Sequence, residues 1–170
     1  TPLYSSAASD VYKRQHISPS YCYRCPFDKE YPSCGIYCAH ELERAIRQEG
    51  QESIAAFIAE PIVSGTLGCA VPPPEYFRII RDICDRYGIL FIDDEVVTGF
   101  GRTGKNFGMD HWGVIPDIIV TGKGISSGYT PLGAVIVHEK VFDVLLNSRR
   151  SSIFLGYTYS GNPLSCAIGR

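Results

Sequence analysis

The residues best placed to do chemistry are a lysine, a set of acids and a hydroxyl. Lys123 follows an apolar β-branched run, Ile118-Ile119-Val120, and is flanked by Gly122 and Gly124. A β-branched run of this kind reads as a buried strand. An amine at the end of such a strand is expected to be desolvated, which favours its neutral, nucleophilic form. A second apolar run, Ile89 to Ile92, ends in Asp93, Asp94 and Glu95. Three consecutive carboxylates repel one another and require a reason. A third run, Ile54 to Ala59, ends in Glu60-Pro61, where the proline stops a central strand. Thr158 lies in a glycine- and serine-rich stretch near the C-terminus. An amine, an acid and a hydroxyl that meet in one crevice suit a Schiff-base cofactor such as pyridoxal phosphate. Its aldehyde needs the amine, its ring nitrogen an anion, and its phosphate hydroxyl and N–H donors.

Four cysteines, Cys22, Cys25, Cys34 and Cys38, form a second candidate constellation with C-x2-C-x8-C-x3-C spacing. Four thiolates can hold a zinc ion tetrahedrally. The middle spacing is shorter than in common zinc fingers, and packing as small hydrophobes is the structural reading. A non-catalytic zinc-binding module is therefore kept as an alternative.

The elements that must position these groups follow from the pattern of apolar residues. Helices are predicted over 39–49 and 75–87, the latter with Phe77, Ile80, Ile83 and Cys84 on one face and Gly88 as its cap. Strands are predicted over 54–59, 89–92, 118–120 and 133–137, with a short helix over 141–146. Residues 16–38, 64–74, 98–116 and 151–170 read as loops. Short apolar strands with polar or glycine-rich ends define an α/β chain: a mixed, mostly parallel sheet flanked by helices. Alternation along the 89–95 strand turns Asp93 and Glu95 away from the face of Asp94, and brings Val96 onto that face. Residues 1–15 show no amphipathic period and are expected to be a non-native leader, which leaves 16–170 as the folded unit.

Hydrophobic residues make up 45% and charged residues 20% of the 170, and the net charge is −2. That balance is ordinary for a globular domain and offers no basic footprint for nucleic acid or anionic membrane. No apolar run reaches the ~20 residues that span a bilayer. Seven cysteines, an odd number without a signal-peptide pattern, point to reduced thiols and a cytoplasmic setting.

Four stretches, IAEPIVSG, LFIDDEVVTGFGRTG, PDIIVTGKGISSGYTPLGAV and GYTYSGNPLSCA, resemble the class III (ω-amino acid) aminotransferases of the fold-type I pyridoxal-phosphate enzymes, in the same order. The resemblance runs over about residues 20–170. It implies that Lys123 binds the cofactor aldehyde and later moves a proton, and that Asp94 pairs with the ring nitrogen. It further implies that Val96 packs on the ring, that Thr158 binds the phosphate of a partner subunit's cofactor, and that Glu60 braces the wall of the site. Arg102 matches a motif arginine to which a structural role is given. Val97 stands where many members carry a glutamine that reaches the cofactor's phenolic oxygen, so altered tuning is expected. The family's upstream phosphate loop, its ring-stacking aromatic and its C-terminal carboxylate-binding arginine are not in this sequence. By this resemblance the chain is a fragment of the large cofactor domain, inactive alone, of a homodimer with shared sites. The implied reaction moves an amino group from an amine or amino acid to a 2-oxo acid; an aminomutase or decarboxylase relative is the alternative within the resemblance.

Overall fold

The computed structural model describes residues 16–148 and 157–170. The stretch expected to be a leader, 1–15, lies outside the described residues. Four strands, β1 (Ala56–Ala59), β2 (Leu90–Asp94), β3 (Ile118–Thr121) and β4 (Ala134–Val137), form one sheet in the order β1-β2-β3-β4. β1, β2 and β3 are parallel and β4 is antiparallel, so the expected mixed, mostly parallel sheet is what forms.

Two helices, α1 (Tyr37–Glu49) and α2 (Tyr76–Tyr87), build the core on one face of this sheet. In α2, Phe77, Ile80, Ile83 and Cys84 recur at helical spacing and are all buried. Gly88 ends the helix at φ 63°, a left-handed turn that glycine makes without Cβ strain. Phe77 stacks on Phe91 of β2 with ring centres 6.0 Å apart, and Trp112 meets Phe77 edge-on at 5.0 Å. Ala39, Leu42 and Ile46 of α1 complete the cluster. The buried Glu41 on the same helix is held by Arg44, whose guanidinium keeps that carboxyl below its usual range.

Strand alternation sorts the remaining residues. Phe57, Ala59, Ile89, Phe91, Asp93 and Glu95 face the helices. The strand register places Ile58, Ile92 and Ile118 in one row of the opposite face, and Asp94, Val120 and Val135 in the next. That face is open, with Ile58 57% and Val135 64% exposed. A polar strut locks β2 to its neighbours. The buried Asp117 accepts from Phe91 N at 2.7 Å and Arg81 Nη1 at 2.9 Å, and pairs with Lys140 of α3 (Glu139–Asn147).

Two sequence expectations need correction. β2 extends through Asp94 rather than stopping at Ile92, because the ladder with β3 continues through Asp93 and Asp94. The 151–170 stretch is not all loop: Pro163–Ile168 forms a short helix, α4, with Asn162 accepting from Ser165 N at 3.0 Å. Its signal was the Asn-Pro pair, an N-cap followed by proline at the first helical position.

Candidate cofactor site

Asp94 is the last residue of β2 and projects from the open face, with its carboxylate Oδ1 accepting from Val96 N at 3.1 Å. This local bond holds one oxygen of the carboxylate. Val96 lies in the turn that follows β2. A Cβ built on Gly122 would stand 3.4 Å from Val96 Cγ1, so Val96 packs beneath the turn that carries Lys123. Lys123 opens a 3-10 turn, Lys123–Ser126, at the carboxyl end of β3, with φ 41°. A positive φ at a non-glycine residue is a strained conformation of the kind that collects at functional sites. Asp94, Val96 and Lys123 thus lie at or just past the carboxyl ends of two neighbouring parallel strands, where open α/β sheets bind ligands.

One expectation fails here. Lys123 is exposed, and its ammonium makes no hydrogen bond or ion pair among the described residues. The open sheet face leaves this amine in solvent, so the desolvation expected of it is not supplied by this chain.

Glu60 sits just past the end of β1 and is turned into its own loop, where Oε2 accepts from Ser64 Oγ at 2.9 Å and Ser64 N at 3.3 Å. Thr158 is exposed in the turn that precedes α4, and its hydroxyl makes no hydrogen bond among the described residues. That segment is anchored to the stretch after the lysine: Thr130 Oγ1 and Ser165 Oγ are 2.7 Å apart, and Ser126 Oγ donates to Thr130 O at 2.6 Å. Tyr129 and Tyr157 are both exposed. His111 contacts Thr103 and packs beside Trp112, as a loop histidine would.

The three consecutive acids divide as the alternation requires, with one addition. Asp93 and Glu95 turn away from Asp94, but into the core, and both are fully buried. Burial, and after it the neighbouring Glu95 carboxylate, push the Asp93 pKa up to about 9. Glu95 accepts from Thr98 Oγ1 at 2.5 Å and from Met109 N at 2.8 Å. Sequence reasoning noted the crowding of charge but not this brace, because its partners come from a loop without periodic signal.

The four N-terminal cysteines line one cleft with Tyr21, Phe27 and Tyr37. All are free thiols, and burial raises the pKa of Cys22 and Cys38. Among the described residues no group of three or more histidine, cysteine or acidic side chains is arranged to hold a metal ion.

The donor set suits pyridoxal phosphate in kind: a carboxylate, an apolar side chain and a lysine stand at or just past the ends of β2 and β3, where one face of the sheet is open. This is the arrangement of a fold-type I pyridoxal-phosphate transferase. The family model for class-III aminotransferases matches residues 6–170. The chain is 43% identical to the adenosylmethionine-8-amino-7-oxononanoate aminotransferase of Geobacter sulfurreducens, over 87% of this chain and 33% of that protein. It is also 43% identical to the putrescine–pyruvate aminotransferase of Pseudomonas aeruginosa, over 90% of this chain and 33% of that one. An amine transaminase from an uncultivated Pseudomonas species, solved with pyridoxal phosphate bound, superposes with a TM-score of 0.84 at 44% identity, covering 90% of this chain and 35% of that one. A thermostable (S)-enantioselective omega-transaminase from Thermomicrobium roseum gives a TM-score of 0.83 at 44% identity, over 91% of this chain and 34% of that one. The chain belongs to the class-III aminotransferase family, whose members depend on pyridoxal phosphate, and it spans about a third of the length of these relatives.

Proposed function

We propose that the protein, at the full length of its relatives, is a pyridoxal-phosphate-dependent aminotransferase that moves an amino group from an amine or amino acid, including ω-amino acids, to a 2-oxo acid. The observation that supports this reading is the placement of Asp94, Val96 and Lys123 at or just past the ends of the neighbouring strands β2 and β3. The cofactor supplies an aldehyde and an electron-accepting ring. Asp94, held by Val96 N, keeps a proton on the ring nitrogen. Val96 supports one ring face. Lys123 Nζ would hold the cofactor and would supply the amine that carries a proton. Glu60, fixed by Ser64, braces the wall beside them.

The site is shared in a homodimer, with Thr158 donating to the phosphate on the partner subunit; its exposed, unengaged hydroxyl supports that role. A cytoplasmic location agrees with seven free cysteines. The described helices include none long and apolar enough to cross a membrane.

The test is an amino-transfer assay on the full-length protein with an amine or amino-acid donor and a 2-oxo acid, with products identified. Asp94→Asn is expected to lower the rate by on the order of 10²–10⁴. A near-normal rate removes Asp94 from the site, and a rearranged or decarboxylated product replaces amino transfer with the aminomutase or decarboxylase reading.

A further inference from the structure

Glu95 lies on the far side of β2 from Asp94, fully buried, and its bonds reach both β3 and the 98–109 loop. Its backbone N donates to Val120 O at 2.8 Å, which prolongs the ladder to β3 beyond Asp94. Its carbonyl accepts from Gly99 N at 3.0 Å, while its carboxylate takes Thr98 Oγ1 at 2.5 Å and Met109 N at 2.8 Å. Both ends of the glycine-rich 98–108 loop are therefore pinned to one side chain.

The loop in turn touches the other site segments at glycines with no room for a side chain. A Cβ on Gly108 would stand 2.9 Å from Thr98 Cβ, 3.1 Å from Pro61 Cβ and 3.2 Å from Glu95 Oε2, and Pro61 directly follows Glu60. A Cβ on Gly124, the residue after Lys123, would stand 3.3 Å from both Gly99 O and Phe100 Cβ. A shift of the loop is transmitted to the turns of Glu60 and Lys123, and a shift of Glu95 itself rotates the tip of β2 that carries Asp94.

We propose that Glu95 is a positioning residue for the cofactor site: by pinning Thr98 and Met109 it sets the relative placement of Asp94, Glu60 and the Lys123 turn. The inference rests on the site assignment proposed above. Positioning of this kind matters because misplacement of about 1 Å at a reacting centre costs up to ~10²-fold in rate. Three acids in a row then have separate reasons. Asp94 serves the site, Glu95 holds the scaffold, and Asp93, buried beside Glu95 with its pKa raised to about 9, adds no third charge at neutral pH.

The experiment compares the full-length enzyme with Glu95→Ala, Glu95→Gln and Thr98→Val, with Asp94→Asn as the control for the site itself. Three quantities are read: the pH dependence of the bound cofactor's visible absorbance, kcat, and KM for the amino donor. Glu95→Ala and Thr98→Val are expected to lower kcat by about 10- to 100-fold and to shift the absorbance midpoint, with KM changed by less than about threefold. Glu95→Gln keeps an acceptor for Met109 N and a partner for Thr98, and recovers most of the lost rate. Thr98→Val preserves side-chain shape and decides the matter if Glu95→Ala does not fold. Folded variants with the parent's kcat per bound cofactor and the parent's absorbance midpoint reduce Glu95 to a structural residue and overturn the proposal. An Asp94→Asn control with unchanged spectrum and rate overturns the site assignment, and this inference with it.

Discussion

Val96 lies directly under Gly122, 3.4 Å from the position a Cβ would occupy there. This contact joins the ends of β2 and β3, the strands that carry the anion and the amine, and makes the Val96 side chain the floor between them. Val96→Ala removes two methyl groups from that floor. At about 0.8 kcal/mol per methyl-sized group, the cofactor's dissociation constant is expected to rise by roughly tenfold. Titration of the apo full-length enzyme with pyridoxal phosphate measures it, and an unchanged constant removes Val96 from the cofactor's surroundings.

Gly108 is a tight junction between the 98–108 loop and the Glu60-Pro61 turn. Alanine there meets Thr98 and Pro61 at distances that real Cβ atoms do not tolerate without movement. Gly108→Ala is expected to destabilise the fold by about 1–3 kcal/mol, as overpacking does. Chemical unfolding reads the change, and a loss below ~0.5 kcal/mol would mean that the 98–108 loop yields freely.

Asp117 binds α2 and α3 to the start of β3 through Arg81 and Lys140 and caps the Phe91 amide. Burial opposes its charge, but the Lys140, Phe91 N–H and Arg81 contacts overcome it and hold its carboxyl below the usual range. Asp117→Ala leaves Arg81 with Asp85 alone and the buried Phe91 amide without its acceptor, and is expected to cost about 1–3 kcal/mol. Because the folded pKa is depressed, the stability that Asp117 contributes is present above its unfolded pKa. It is lost as pH falls through the folded value. Equilibrium unfolding of the parent and Asp117→Ala, at neutral and acid pH, checks both statements.

Asp93 behaves in the opposite sense. Burial, reinforced by the Glu95 carboxylate, lifts its pKa from 3.8 to about 9, so the folded chain keeps a proton that the unfolded chain releases. Its contribution to stability therefore falls as pH rises from about 4 to about 9 and is constant above that. Asp93→Asn cannot titrate. Its stability is expected to decline less steeply over this window, by up to about 1.4 kcal/mol per pH unit. Urea unfolding at several pH values measures the two slopes, and parallel slopes would assign the proton elsewhere.

Much of this was legible in sequence because it is periodic or local. The buried face of α2, the strands of β-branched residues and the glycine stop at Gly88 each follow from spacing or from one residue's conformational freedom. Alternation placed Asp94 and Val96 on one face and Asp93 and Glu95 on the other. What spacing could not give was the destination of the second pair. Alternation says only "away", and whether that means solvent or core depends on α2 and on the 98–109 loop, whose approach is irregular. The exposure of Lys123 was misjudged for a related reason. A buried strand implies a buried end only when both faces of the sheet are covered, and here α1 and α2 cover one. The Asn162 cap and Pro163 were readable, but a short helix of six residues gives no periodic stripe.

The central claim, that Lys123 is the residue that holds the cofactor, has a direct chemical test. The full-length protein is loaded with pyridoxal phosphate, treated with borohydride to fix the lysine–cofactor bond, digested and mapped by mass spectrometry. The account predicts the phosphopyridoxyl mass on the peptide that contains Lys123, no such mass on peptides with Lys105 or Lys140, and loss of the label in Lys123→Ala. A label on another lysine, or one that survives Lys123→Ala, would contradict it.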